Sequence, residues 1–298
     1  MKPTLADPQT LVICVRIEAR GGQVLRFISY PHDLAMSNGN LYRSDLGYEP
    51  TAFSVTNGPA PPVLDLSGVF DAFGISRDEL ISGVWNSAKA YVFATSWANP
   101  VEDEEPIGKF VLGKVRIQDE RYVVEKMGLI DALNQDEGRT HGPLCPWTLF
   151  DETLDGDVLP YHRSRCTGPR SNPDGPLLAN YKVTGTVTHV TSNQVWRDEN
   201  RAEAAGYFNR GSVRWLTGNN AGLRSQEIKA HAADGTITQF LPTYYPVQVG
   251  DQYEMIPGCD KRKTGGDCVG KFSNAINFGG FEEVPTSSAY YQRGTGAA

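Results

Sequence analysis

Four of the five cysteines lie in two stretches of the chain that show no hydrophobic periodicity. These are Cys145, Cys166, Cys259 and Cys268, two in residues 142–180 and two in residues 258–298. Segments without a core of their own gain order from cross-links or bound metals. Four thiolates suit an iron–sulfur cluster or a tetrahedral zinc ion. The spacing alone leaves three alternatives open: a metal site, two disulfides formed after release from the cell, and unpaired thiols.

Cations and glycines near these cysteines could tune such a site. A four-thiolate cluster is negatively charged, so cations would offset its charge, and backbone N–H groups could bond to the sulfurs. The cations are Arg163, Arg165, Lys261, Arg262, Lys263 and Lys271, and the glycines are Gly258, Gly265, Gly266 and Gly270. For any single cation, an ordinary basic surface loop is the alternative.

Catalytic chemistry has weaker support in the sequence. His141 and His162 lie close in sequence to Cys145 and Cys166, but a nucleophile and its base must converge in space. His162 could alternatively replace one cysteine as a metal ligand. The acidic residues between 151 and 157 fit a solvated loop, and the EF-hand pattern is absent. The chain also lacks a phosphate-binding loop and a dinucleotide fingerprint.

Composition limits the possible classes of protein. The chain has 298 residues, a length that suggests about two domains. Hydrophobic residues make up 40% of it, which is enough to form a sizeable core. Its formal net charge of −7 disfavours tight binding to nucleic acid, although it does not exclude DNA passing nearby. No apolar run is long enough for a transmembrane helix, and the first residues lack the apolar core of a signal peptide. We therefore expect assembly in a reducing cytoplasm, where structural disulfides are disfavoured.

The first half predicts strands and one short helix. Leu11–Ile17 and 24–30 flank Gly21-Gly22 as a hairpin, with Cys14 as a small buried hydrophobe on the opposite face. Ser76 to Glu79 has the spacing of a capping box, which predicts a helix to about Gly83. Further strands are predicted at 88–97, 110–117 and 122–127, and the acidic loop 101–106 is predicted to be solvated.

The second half predicts a smaller β domain between two irregular segments. Strands are expected at 181–190, 211–216, 226–230 and 236–241, and a short helix at 198–205. The predicted fold is mainly β, with two barrel-like or sandwich-like domains. The predicted parts are a β-rich domain over 1–141, a cysteine-bearing connector over 142–180, a second β domain over 181–257 and a cluster-binding segment over 258–298.

The C-terminal sequence resembles the signature of siphophage tail-tip proteins. The residues that carry this resemblance are Gly258-Cys259-Asp260-Lys261-Arg262, Asp267-Cys268, Lys271-Phe272, Asn274 and Asn277-Phe278-Gly279-Gly280-Phe281. The first half is similar in its order of motifs, at Arg16-Ile17-Glu18, Leu25-Arg26-Phe27, Asp65-Leu66, Ile81-Ser82-Gly83 and 129–134 leading into Cys145. The family includes the minor tail protein L of lambda-like phages and the hub proteins of gene transfer agents.

This resemblance implies a structural, non-enzymatic protein at the distal end of a tail tube. It implies a homotrimer whose two barrel-like domains per subunit match a sixfold tube, joining the distal tail ring to the central fibre or receptor-binding assembly. It also implies a [4Fe–4S] cluster ligated by Cys145, Cys166, Cys259 and Cys268. The acidic charge and the lack of a long apolar run predict neither specific nucleic-acid binding nor stable membrane insertion. A tail-associated cell-wall hydrolase and a tail adaptor held together by zinc are the alternatives.

Overall fold

The structure is a computed structural model that describes residues 8–44, 48–50, 64–69, 74–119, 121–128 and 141–283. It is mainly β, with two curled sheets and few short helices, as the sequence predicts. The chain divides into two compact units, Met1–Asp136 and Glu137–Ala298. The finer boundaries predicted at 142, 181 and 258 remain predictions.

The first unit is built around an antiparallel sheet with the strand order β2-β1-β7-β8-β9-β6-β5, and β3 pairs with β4 beside it. Its strands are β1 (Leu11–Glu18), β2 (Val24–Ile28), β3 (Leu34–Ala35), β4 (Leu41–Tyr42), β5 (Tyr48–Pro50), β6 (Leu64–Val69), β7 (Lys89–Ser96), β8 (Glu105–Gln118) and β9 (Arg121–Gly128). Both hairpins predicted in this half are confirmed, because β1 pairs with β2 and β8 with β9.

Strand β1 is covered on both faces. Val15 and Ile17 belong to the larger core, whereas Val12 and Cys14 pack in a second cluster against Tyr42. Cys14 is fully buried, and burial together with the charge of Glu102 raises the pKa of its thiol to about 12. The thiol is therefore protonated at neutral pH, as expected for a residue that only fills space.

The predicted capping box is present. Helix α1 covers Arg77–Ser82, and Ser76 and Glu79 exchange side-chain to backbone hydrogen bonds at its start. Gly83 ends the helix with φ 85°, a left-handed conformation that glycine adopts without strain. The helix packs Leu80 into the larger core.

The acidic loop after β7 is solvated only in part: Asp103 and Glu105 are exposed as predicted, but the prediction is wrong for Glu102 and Glu104. Glu104 is buried and accepts a hydrogen bond from Thr95. Glu102 accepts hydrogen bonds from Tyr42 at 2.6 Å and from Asn40 at 2.8 Å, and it pairs with Arg16 at 3.2 Å. These carboxylates accept hydrogen bonds from protein side chains in place of water, and this fixes the loop to the sheet.

The second unit contains an antiparallel sheet with the order β10-β16-β13-β14-β15-β12-β11. Its strands are β10 (Val183–Thr186), β11 (His189–Val190), β12 (Val195–Arg197), β13 (Ser212–Trp215), β14 (Gln226–His231), β15 (Thr236–Gln239) and β16 (Gln252–Ile256). Trp196, Trp215 and Tyr253 pack together in its core. Short helices α2 (Leu178–Tyr181) and α3 (Asp267–Gly270) flank the sheet in sequence.

The helix predicted over 198–205 does not form. Asp198 is almost fully buried, and its carboxylate accepts hydrogen bonds from the Tyr253 hydroxyl at 2.6 Å and from the backbone N–H of Asn200 at 3.0 Å. These bonds hold the segment in turns, because the Asp198 side chain satisfies local donors that a helix would use otherwise.

None of the helices in the described ranges is long and apolar enough to cross a membrane.

Candidate metal centre

The two irregular cysteine segments fold against each other within the second unit. Cys166 lies in a 3-10 helix, Arg165–Thr167, and Cys268 lies in α3. Cys259 follows β16 by three residues, so the sheet fixes its position. The backbone N–H of Cys145 donates to the carbonyl of Lys261 at 2.9 Å, which brings the connector beside the C-terminal segment.

A small apolar cluster helps to hold these segments. Phe150, Leu154 and Leu178 from the connector pack with Ile256 and with Phe272 from the C-terminal segment. The side chain of Cys259 contacts the same cluster. The expectation that this region lacks its own core is therefore wrong.

Asn274 connects two of the cysteines and is only 2% exposed. Its side-chain amide donates to the Cys166 carbonyl at 2.7 Å and lies 3.2 Å from the Cys166 Sγ. Its backbone carbonyl accepts a hydrogen bond from the Cys268 Sγ at 3.3 Å. Asn274 belongs to the C-terminal signature, but nothing in the sequence indicates its position between the two sulfurs.

Backbone N–H groups point at the other two sulfurs. Lys261 N lies 3.4 Å from the Cys259 Sγ, and Gly279 N lies 3.4 Å from the Cys145 Sγ. The sequence predicted such bonds from four other glycines, and among the described residues the donors are these two instead. Lys261 can serve because its φ is 64°, which turns the chain back toward Cys259.

Gly279 is required by close packing. A Cβ at this position would lie 2.0 Å from the Nε1 atom of Trp147. A side chain here would therefore push residue 279 away from both Trp147 and Cys145.

The thiols are close enough to influence one another electrostatically. Burial and the neighbouring Cys145 raise the pKa of Cys166 to about 12, with smaller contributions from Cys259 and Cys268. Burial, Cys259 and Cys145 raise the pKa of Cys268 to about 11. Burial also raises the pKa of Cys259. All four predicted site cysteines therefore lie in one neighbourhood.

Lys261 is the cation most closely associated with this neighbourhood. Its charge opposes the rise in the pKa of Cys166, Cys259 and Cys268. Its Nζ donates to the Trp147 carbonyl. Lys271 instead pairs with Asp267 at 3.3 Å and donates to the carbonyls of Tyr207 and Gly258.

The other candidate residues have different surroundings. His162 is exposed, and the ring of His141 packs edge-on against Phe281. In the acidic stretch, Asp155 accepts two hydrogen bonds from Ser225, so the prediction of a solvated loop is wrong there as well. Within the described residues, no three Cys, His, Asp or Glu side chains are grouped tightly enough to hold a single metal ion.

Comparisons with known proteins identify the family. The family model described as "Baseplate hub protein, N-terminal attachment domain" matches residues 3–153, just over half of the chain. A second model, described as "Phage conserved hypothetical protein BR0599", matches residues 206–288. The chain therefore belongs to the baseplate hub protein family, and it is a structural hub protein at the tail tip of a virion.

A solved structure has the same fold. A chain from the virion of a native gene transfer agent particle is similar, with a TM-score of 0.76 and 23% sequence identity. The similarity covers 97% of this chain and 94% of that chain. No curated protein matches the chain.

Proposed function

We propose that Cys145, Cys166, Cys259 and Cys268 hold one [4Fe–4S] cluster that fixes the C-terminal segment of this hub protein to its connector. The observation that carries the proposal is the convergence of four thiols, three of them with an N–H donor 3.2–3.4 Å from the sulfur. Such donors stabilise thiolates and tune the reduction potential of iron–sulfur clusters. The donor set consists of sulfur alone, as iron–sulfur clusters prefer.

The arrangement fits a cluster better than one zinc ion. Four sulfurs on tetrahedral zinc lie about 3.8 Å apart, since each zinc–sulfur bond is about 2.3 Å. Cluster ligands each bind a different iron and are more widely spaced. Four thiols that share one neighbourhood without a tight group of three are compatible with that wider spacing.

Within the tail, we propose that the protein is a homotrimer that joins the distal tail ring to the central fibre assembly. The description of residues 3–153 as an attachment domain supports a joining role. The net charge of −7 suits a subunit that DNA passes without being bound. We further propose that the role is structural rather than enzymatic, so the purified protein is expected to leave bacterial cell walls intact.

The proposal is tested by anaerobic purification, with iron, acid-labile sulfide and zinc quantified on one sample beside a visible spectrum. We expect about four irons and four sulfides per chain, with broad absorbance in the visible range. Zinc near one per chain without sulfide would replace the cluster by a zinc site. Absence of both metals would refute a metal centre.

Two variants control for the choice of ligands. Cys259→Ser should lose iron and sulfide and produce few infectious particles, because the C-terminal segment loses its attachment. Cys14→Ala removes the buried cysteine of the first unit and should keep the full iron content. Equal iron in both variants would contradict the assignment of Cys259.

A further inference from the structure

A cavity of about 400 Å³ lies beside the cysteine site in the second unit. Trp147, Tyr161 and Arg165 line one side, and residues 276–281 line the other. Gly279 belongs to this second wall, and its backbone packs on Trp147 while its N–H points at the Cys145 sulfur. The cavity wall and the cysteine site therefore share a residue.

Arg165 lines this cavity, and Arg170 lies next to it over the ring of Tyr161, which also lines the cavity. The guanidinium of Arg165 lies 5.3 Å from the centre of the Trp147 ring and 5.6 Å from that of Tyr161. The guanidinium of Arg170 also lies 5.6 Å from the Tyr161 ring and donates to the Leu159 carbonyl at 3.2 Å. Stacking fixes the plane of a guanidinium and leaves its N–H edge available for a carboxylate.

Neither arginine has a carboxylate partner among the described residues. The arginines of the neighbouring sheet do: Arg201 pairs with Asp198 at 3.6 Å, and Arg214 pairs with the buried Glu254. Asp174 borders the cavity at Gly168, but its carboxylate accepts a hydrogen bond from Asn277 at 2.9 Å. The two guanidinium groups are therefore held in place by aromatic rings and not by ion pairs with described residues.

The rim of the cavity is apolar and exposed. Ile276 is 79% exposed, and Phe281 and Tyr161 are about 40% exposed. Fixed arginines and aromatic rings surrounded by exposed apolar side chains are typical of the residues that dominate protein–protein binding. A polyanion such as nucleic acid is a poor match, because the chain carries a net charge of −7.

We propose that this cavity binds another tail protein through a segment that places a carboxylate between apolar side chains. The carboxylate pairs with Arg165 and Arg170, and its apolar neighbours cover Ile276 and Phe281. This inference rests on the proposed function, since the partner is another protein of the same tail. Under this proposal, residues 276–281 belong both to the docking surface and to the surroundings of the cysteines.

The test removes the charges of both arginines in the complete particle. Arg165→Gln/Arg170→Gln in the hub gene should lower the yield of infectious particles at least tenfold, because the partner carboxylate loses both cations. The matched control is Arg224→Gln, an exposed arginine of the same unit that does not line the cavity and should keep the normal yield. The reversed-charge variant R165E/R170E then serves to select suppressors.

Suppressors should change Asp or Glu to Lys or Arg in one other tail protein, which identifies the partner. A normal yield from R165E/R170E would overturn the inference. A low yield whose suppressors never alter an acidic residue of another tail protein would overturn it as well. Iron and sulfide are measured on the wild type and on the same variants: wild-type content with lost assembly supports the cavity, and lost assembly in the variants combined with a wild-type protein that contains no iron refutes only the cluster. A variant that loses its iron together with assembly would overturn the inference, because the arginines would then act through the cysteine site.

Discussion

Asn274 is the residue on which the geometry of the cysteine site depends most. Its amide contacts the sulfur and the carbonyl of Cys166, and its own carbonyl accepts from Cys268. Asn274 is almost fully buried, so water cannot replace its hydrogen bonds. A substitution that removes its amide therefore leaves the Cys166 sulfur and carbonyl without a donor.

Asn274→Ala should therefore lower the reduction potential of the bound cluster, because an N–H···S bond stabilises the reduced, more negative state. It should also destabilise the second unit by about 1–3 kcal/mol, since buried polar groups lose their partner. A potentiometric titration followed by electron paramagnetic resonance measures the first effect and urea unfolding the second. Asn172→Ala, at an exposed site in the same connector, is the control. An unchanged potential would show that Asn274 only fills space.

At the residue scale, the positions of the cysteines in the sequence were enough to predict a shared site, but the residues that donate hydrogen bonds to them could not be predicted. Four thiols in segments without periodicity indicated a shared site, and the structure brings them together. The contacts of Asn274 with Cys166 and of Gly279 with Cys145 could not be predicted in the same way, since they span 108 and 134 positions. Local spacing contains no signal for such contacts.

The loop that follows β7 illustrates how a polar segment becomes part of an element. Burial alone would raise the pKa of Glu102, but hydrogen bonds from Tyr42, Asn40, Asn38 and Arg16 outweigh it and lower the pKa to about 2. The folded pKa is below the ordinary value of 4.5, so the carboxylate stabilises the fold above that pH. This stabilisation is lost as the pH falls from about 4.5 towards 2.

Glu102→Gln should remove this pH dependence. The variant should show faster hydrogen exchange in β1 and β4 than the wild type at pH 7, and the difference should shrink as the pH falls through 4 towards 2. Exchange is followed by mass spectrometry after correction for the intrinsic rate at each pH. Glu105→Gln, in an exposed position at the start of β8, serves as the matched control. The same exchange for both variants at pH 7 would contradict a structural role of Glu102.

Elements with local signals were predicted well. The capping box of α1 and the turns of two hairpins are encoded within a few residues, so the sequence specifies them directly. Strand β12 was missed because three residues give too little alternation to recognise. Strand β16 was missed because four consecutive residues are buried, including Glu254, so its sequence does not alternate. The helix expected after Asp198 failed because a tertiary contact with Tyr253 determines that segment.

At the scale of the whole molecule, the cysteine site belongs to only one of the two units. All four thiols lie within Glu137–Ala298. A ligand that binds only the folded form of one unit stabilises that unit. Anaerobic removal of iron by a chelator should therefore lower the unfolding temperature of the second unit and leave that of the first unchanged.

Calorimetry combined with hydrogen exchange assigns each transition to its unit. In the iron-depleted protein, exchange should accelerate in α3 and around Asn274, whereas β1 and β7 should keep their protection. The Cys259→Ser variant treated with the same chelator is the control and should show no further change. Equal loss of protection in both units would contradict this prediction.

The hydrogen bonds from Asn274 to Cys166 and from Gly279 to Cys145 also determine when the site can be completed during synthesis. Cys166 leaves the ribosome 93 residues before Cys259, and Cys145 leaves it earlier still. At about 5–20 residues per second, this is an interval on the order of 5–20 s. During this interval the growing chain exposes two thiols without their later partners. If the four cysteines hold the proposed cluster, it can be completed only after the C-terminal segment has been translated, so the first two thiols must stay reduced and unoxidised until then.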